Sequence, residues 1–140
     1  MIFWDTSALI KAYGSLERGH ARAKNLLLRE KGHQGSALLW PEAVSGIVRK
    51  VGHDKRLRDS LLGLLEEHLR HFSLMPISDQ QMDLSVRLIR KHGLRVADAL
   101  HLAAGVSLAR ELGRSRLHFA TADTEQAKAA KAEHLRVIEL

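Results

Sequence analysis

The chain opens Met1-Ile2-Phe3-Trp4-Asp5-Thr6-Ser7-Ala8-Leu9, and the reading of this stretch decides the fold. Ile2 to Trp4 is a short apolar run that reads as a strand, and Ser7 to Tyr13 reads as a short helix directly after it. Asp5 stands at their junction, where a carboxylate beside a buried apolar segment is costly unless something pairs with it. Three more acids stand at comparable points. Glu42 follows Trp40-Pro41 at the start of a helix, and Asp98 interrupts Val96-Ala97-Asp98-Ala99-Leu100. Asp123 follows Leu117-His118-Phe119-Ala120-Thr121-Ala122. A divalent cation is the simplest partner able to satisfy several such groups at once. The four acids therefore read as one convergent site for Mg²⁺ or Mn²⁺.

Outward from residues 1–9, short strand candidates alternate with longer helical patterns. The strands are Ile2 to Trp4, Gln34 to Leu38, Phe72 to Ile77, Leu117 to Thr121 and Arg136 to Leu140. A helix capped by Ser15 is expected to begin Leu16-Glu17-Arg18 and to stop at Lys31-Gly32. Pro41 suits the first turn of a helix running to about Val51, and Lys55 to Arg70 forms the next. Ser78 caps a helix that ends before Gly93, Val96 to Leu112 is apolar on nearly every face, and Thr124 to His134 is rich in Ala and Lys. This alternation predicts an α/β sandwich with a mostly parallel central sheet. In such a sheet the carboxyl ends of the strands share one edge, and ligands bind beyond it. Asp5 and Asp123 follow strands directly, while Glu42 and Asp98 lie in first turns of helices, so this topology brings all four to that edge.

With 140 residues, the chain is expected to form one domain, 1–140. Its 45% hydrophobic and 27% charged residues exclude a disordered or fibrous class. No apolar run approaches the roughly 18 residues a bilayer span requires, and the N-terminus does not read as a secretion signal, so a cytoplasmic location is expected. With no Cys, a metal must be held by oxygen or imidazole. A net charge of +6 favours a polyanionic partner. Arg49, Lys50, Lys55, Arg56 and Arg58 form a local basic excess that is either a nucleic-acid contact or a solvated face. Six aromatic residues are too few for a surface built on base stacking. There is no glycine-rich phosphate loop, which disfavours an NTPase.

Together the four segments resemble the PIN-domain ribonucleases, particularly the VapC-like toxins of bacterial and archaeal toxin–antitoxin pairs. The segments are Trp4-Asp5-Thr6-Ser7-Ala8-Leu9, Glu42, Val96-Ala97-Asp98-Ala99-Leu100-His101-Leu102-Ala103-Ala104 and Ala120-Thr121-Ala122-Asp123. Their order and spacing match over essentially the whole chain; Trp40-Pro41 before Glu42, where smaller residues are common, is a departure. The resemblance implies a PIN-like three-layer α/β/α sandwich, a Mg²⁺- or Mn²⁺-dependent phosphodiesterase site, an RNA substrate, a small antitoxin partner and a homodimer. It implies Asp5 and Asp98 as principal metal ligands, Asp123 as the acid that completes the site or binds a second ion, and Glu42 as a group that binds or orients a metal-bound water. Thr121 takes a supporting place, and Thr6 and Ser7 are expected to orient Asp5 through their hydroxyls.

Each acid also has a purely local explanation. Asp5 and Asp123 can cap the helices that follow them, and Glu42 can favour a helix dipole. Asp98, among apolar neighbours, has the weakest such alternative. An aspartate-nucleophile phosphatase is disfavoured because the second acid expected two positions after Asp5 is Ser7. A housekeeping PIN nuclease and an inactive RNA-binding scaffold are the remaining alternatives. His101, three residues after Asp98, is read as a packing histidine, with facing the site as the alternative. Trp4, Trp40 and the leucines at 61, 62, 64, 65 and 69 are expected in the core, with a partner groove as the alternative for some of the leucines.

Overall fold

The computed structural model describes residues 1–14 and 17–140. Its strands are β1 Ile2–Trp4, β2 His33–Ser36, β3 Phe72–Met75, β4 His118–Thr121 and β5 Arg136–Glu139. They form one sheet in the order β3-β2-β1-β4-β5, and every neighbouring pair is parallel. The helices are α1 Thr6–Leu9, continued by a 3₁₀ turn Ile10–Ala12, then α2 His20–Arg29, α3 Leu39–Val51, α4 Lys55–Leu69, α5 Asp79–His92, α6 Val96–Leu112 and α7 Thr124–Ala132. The α/β class and three-layer arrangement expected from sequence are the ones adopted, with the sheet parallel throughout.

Strand alternation divides the core between two layers. Ile2 and Trp4 of β1 pack with Leu9, Leu27, Ile47 and Leu65, from α1 to α4 on one face. Phe3 packs with Leu88, Leu102, Phe119 and Ala130, which brings α5, α6 and α7 onto the other. Phe3 and Phe119 pair across β1 and β4, and their rings stack with centroids 5.6 Å apart. Gly105 of α6 lies directly against them, since a Cβ there would sit 2.8 Å from the Phe119 ring. The missing side chain is what allows α6, and hence Asp98 in its first turn, to lie close on the sheet.

The strand order places the switch point between β1 and β4. From β1 the chain builds outward through β2 to β3, then returns to lay β4 on the other side of β1. Loops leaving adjacent strands at a switch point diverge and open a crevice at the carboxyl edge. Asp5 leaves β1 there, and Ala122 and Asp123 leave β4.

Several expected details are corrected. The cap at Ser15 and the helix start at Leu16 lie outside the described residues. The following helix begins at His20, because Gly19 before it takes φ +87°, outside helical conformation. Strands β2 and β3 end at Ser36 and Met75, earlier than expected. Trp4 is buried with its Nε1 donating to His33 Nδ1 at 3.0 Å, but Trp40 is 37% exposed and Leu64 42% exposed, so neither is core. The cap at Ser78 is a full capping box with Gln81, and Gly93 closes α5 in left-handed geometry, as expected. No helix among the described residues is long and apolar enough to cross a membrane.

Gly105→Ala tests the close approach of α6. In an open helix this change stabilises by about 1 kcal/mol; against the stacked rings it is expected to destabilise by about 1–3 kcal/mol. The urea midpoint should therefore fall, and a rise would show that α6 does not depend on the missing side chain.

Candidate active site

Asp5 is 2% exposed at the end of β1. Its backbone N–H donates to the Ala120 carbonyl at 2.9 Å, continuing the pairing of β1 with β4. Its Oδ2 caps α1, accepting from the Ser7 backbone N–H at 2.9 Å, and also accepts the Ser7 hydroxyl. Ser7 Oγ in turn accepts the Ala122 N–H at 2.9 Å, which ties the loop after β4 to the loop after β1. Asp5 Oδ1 accepts from Gln126 Nε2 at 3.0 Å. The local capping role and the site role are therefore filled by the same carboxylate. It still has unused acceptor capacity, since an ionised carboxylate offers about four lone-pair sites.

Asp123 follows the same pattern at the end of β4. Its Oδ1 caps α7 by accepting the Gln126 N–H at 2.7 Å. Thr121, wholly buried, accepts the Asp123 N–H at 3.0 Å and donates its hydroxyl to Gln126 Oε1 at 2.6 Å. The expected Thr6 contact with Asp5 is replaced by another. The Thr6 hydroxyl donates to Glu42 Oε2 at 2.8 Å, so Thr6 orients Glu42 while Ser7 orients Asp5.

His101 lies against the same Glu42 oxygen. It is 1% exposed, as a packing histidine would be, yet its Nε2 approaches Glu42 Oε2 at 2.5 Å and its Nδ1 contacts Ser36 Oγ at 2.9 Å. Burial pushes His101 down, but the Glu42 hydrogen bond and the charges of Asp5, Glu42 and Asp98 override it and raise its pKa. The His101 hydrogen bond holds Glu42 below the ordinary carboxylate range, with the Thr6 hydroxyl and the Arg49 charge adding to the effect and burial opposing it. Both shifts favour an ion pair.

Asp98 is the exception among the four. Its backbone carbonyl accepts from Gln126 Nε2 at 3.1 Å, but the described residues offer no hydrogen-bond donor to its carboxylate. Burial, followed by the charges of Asp5, Asp123 and Glu42, raises its pKa from 3.8 to about 6; His101 opposes this. The fold thus brings the four sequence-predicted acids into one another's electrostatic field and leaves one of them unsupported.

The donor set is all oxygen, which suits Mg²⁺ or Mn²⁺. Among the described residues no group of three His, Asp or Glu side chains is arranged, as the side chains stand, to hold one ion directly. Mg²⁺ commonly takes only one or two carboxylates and keeps several waters. The open Asp98 carboxylate with Asp5 beside it fits that pattern, and Asp123 and Glu42 fit as partners of the ion's waters.

The basic residues are less concentrated. Arg49 is the member of the expected cluster whose charge reaches Glu42. Lys50 pairs with Glu17 and Arg58 with Asp59, while Lys55 and Arg56 are exposed at the start of α4. A cleft of about 630 Å³ opens beside Asp123, bordered by Thr121, Thr124, Arg18 and Arg22 together with the acids Glu17 and Glu139. Sequence reading did not find this cleft, nor the roles of Gln126 and Ser36. Asp123-Thr124-Glu125-Gln126 has the spacing of a capping box, in which Gln126 would reach back to the Asp123 N–H. Thr121 takes that N–H instead, and Gln126 turns inward.

A family model described as PIN domain matches residues 2–132. No curated protein gives a significant match. Among solved structures, the chain is similar to a toxin–antitoxin complex from Klebsiella pneumoniae, at 24% identity and TM-score 0.62, covering 90% of this chain and 89% of that one. It is similar to FitAcB from Neisseria gonorrhoeae at 21% identity and TM-score 0.66, covering 99% and 97%. It is also similar to VapC20 of Mycobacterium tuberculosis, described as a sarcin–ricin loop cleaving toxin, at 16% identity and TM-score 0.68, covering 92% and 95%. At these identities the structural likenesses establish the fold.

The crowding of Asp98 has a measurable consequence in the metal-free protein. Its folded pKa of about 6 lies above the unfolded value of 3.8, so its contribution to stability is fully present below pH 3.8 and lost as pH rises through 6. A shift of that size corresponds to roughly 3 kcal/mol, which solvent screening at a partly exposed side chain reduces to about 1 kcal/mol. Asp98→Asn should therefore raise the melting temperature of the metal-free protein at pH 7.5 and change it little at pH 4. Equal effects at both pH values would contradict the crowding.

Proposed function

The chain belongs to the PIN domain family, and from that premise we propose that it is a metal-dependent endoribonuclease, the toxin half of a toxin–antitoxin pair. One observation carries the reading: the Asp98 carboxylate, without a hydrogen-bond donor among the described residues, is destabilised in its charged form by burial and by Asp5, Asp123 and Glu42. A group of acids that repel one another at the carboxyl edge of a parallel sheet is what a cation-requiring site looks like before its cation arrives.

Bound Mg²⁺ or Mn²⁺ would lower the pKa of an attacking water and relieve negative charge on the phosphate. Asp5 and Asp98 are the proposed direct ligands, with Asp123 and Glu42 completing the site through water. Ser7 and Gln126 hold Asp5 in one orientation, and Thr121 positions the loop that carries Asp123. Glu42, kept ionised by His101, presents its second oxygen as an acceptor that orients the water attacking the phosphodiester. Arg49, whose charge reaches Glu42, and Arg18 and Arg22 in the cleft beside Asp123 are the cations proposed to meet backbone phosphates. The net charge of +6 supports a polyanionic substrate.

A nuclease of this kind needs an inhibitor in its own cell, and the Klebsiella structure it resembles is described as a toxin–antitoxin complex. The surface proposed for a small antitoxin includes a shallow apolar cavity of about 400 Å³ lined by Trp40, Leu69 and Leu74, with Glu66 and Arg70 at its margin. Trp40 is exposed at the start of α3, the helix that also carries Glu42, and the proposed antitoxin tail would continue past it to bring an Arg or Lys to the acids. Self-association as a two-fold homodimer belongs to the same reading.

Two measurements test it. Asp5→Asn and Asp98→Asn should each reduce Mn²⁺-dependent cleavage of RNA by more than the roughly 100-fold that marks the upper range for residues outside the direct ligand set. The wild-type chain should also slow growth when expressed alone. Cleavage at the wild-type rate by either folded variant would overturn the assignment. For the basic cluster, replacing Arg49, Lys55 and Arg56 by Ala should lower the log–log salt slope of single-stranded RNA binding by about 2, at about 0.7 per lost phosphate contact. An unchanged slope would make the cluster a solvated face.

A further inference from the structure

Gln126 is completely buried, and besides holding Asp5 it bonds three further groups of the site, on Asp98, Thr121 and Asp123. Its Nε2 donates to Asp5 Oδ1 at 3.0 Å and to the Asp98 backbone carbonyl at 3.1 Å. Its Oε1 accepts the Thr121 hydroxyl at 2.6 Å, and its backbone N–H donates to Asp123 Oδ1 at 2.7 Å. One residue of α7 therefore touches the loop after β1, the first turn of α6 and the loop after β4.

The chemistry allows only one orientation of the amide. Asp5 Oδ1 and the Asp98 carbonyl can only accept, so they require the NH₂ end. Thr121 already accepts the Asp123 N–H, and Ser7 spends its hydroxyl hydrogen on Asp5, so the Thr121 hydroxyl hydrogen is directed to Gln126. A flipped amide would set its oxygen against a carboxylate and a carbonyl. A carboxylate at this position would do the same, and a hydrocarbon would remove the donor that Asp5 Oδ1 has among the described residues.

We propose that Gln126 is a positioning residue that sets the Asp5 carboxylate against the backbone carrying Asp98, so that the two acids hold a fixed separation before a divalent ion binds. This rests on the reading of the site as metal-dependent. Asp5 comes from a strand end and Asp98 from a helix whose first turn could otherwise shift, and the amide spans the gap with both hydrogens. Thr121 acts through Gln126 by locking the amide. Gln126 has no need to touch RNA or metal, and its effect is on the cost of assembling the site.

The test is direct titration with Mn²⁺ by calorimetry, on wild type, Gln126→Met, Thr121→Val and the double variant, with folding checked by circular dichroism. Gln126→Met keeps the length of the side chain and removes its polar ends. It should weaken Mn²⁺ binding about 10–100-fold, the range for residues that orient metal ligands. RNA cleavage at saturating Mn²⁺ should recover much of the wild-type rate, so that the loss lies in metal affinity. Thr121→Val should weaken Mn²⁺ binding in the same direction, and the double variant should lose less than the sum of the two free-energy changes. Wild-type affinity in folded Gln126→Met overturns the proposal, whatever its melting temperature. If Gln126→Met does not fold, unchanged affinity in Thr121→Val overturns it instead. Absence of Mn²⁺ binding by the wild type itself would overturn the metal-dependent reading and this proposal with it, an outcome separable from the others.

Discussion

Repulsion among carboxylates brought to one edge of the sheet is the constraint to which the rest of this structure responds. The strand order sends β1 and β4 side by side, and their exits deliver Asp5 and Asp123 to the same crevice. Helix α6, held close by Gly105 against Phe3 and Phe119, adds Asp98, and α3 adds Glu42. A fold that only needed to be stable would not gather negative charge in this way. The surrounding polar groups each reduce part of the cost: Ser7 and Gln126 at Asp5, the helix cap at Asp123, and His101 with Thr6 at Glu42.

That arrangement leaves a division of labour among the acids. Three are fixed by donors, which pre-organises them and reduces the freedom they would lose on binding a ligand. The fourth, Asp98, is bonded among the described residues through its backbone alone, and its carboxylate, with a pKa raised to about 6, stays available. A cation entering beside Asp98 would gain from all four charges while displacing few existing hydrogen bonds. The same geometry explains why helix caps and site residues coincide. A carboxylate at the end of a strand in an α/β sheet is also at the start of the following helix, so Asp5 and Asp123 serve the backbone and the crevice with different lone pairs.

Much of this was legible in the sequence. The apolar runs at 2–4 and 117–121, each followed within a few residues by an acid, specify parallel strands ending at a shared edge. The apolar surroundings of Asp98 mark it as the acid least explained by local structure. What escaped was tertiary. Trp40 has the composition of a core residue but lies on the outer side of the α3 start. His101 is buried as expected, but burial alone does not reveal that Glu42, 59 residues away, would be its partner. Gln126 was hidden by a local motif: Asp123-x-x-Gln126 is a complete capping box on paper, and only the competing hydroxyl of Thr121 frees the side chain to turn inward.

The role of this site depends on whether a cation completes the group of acids. The most direct measurement is a crystal structure of the protein grown with Mn²⁺, with diffraction recorded where manganese scatters anomalously. An anomalous peak is expected between the Asp5 and Asp98 carboxylates, with Asp123 and Glu42 reached through water and Gln126 unmoved. Well-ordered crystals showing these acids with no anomalous density, and Asp98 closed onto a protein donor instead, would contradict it.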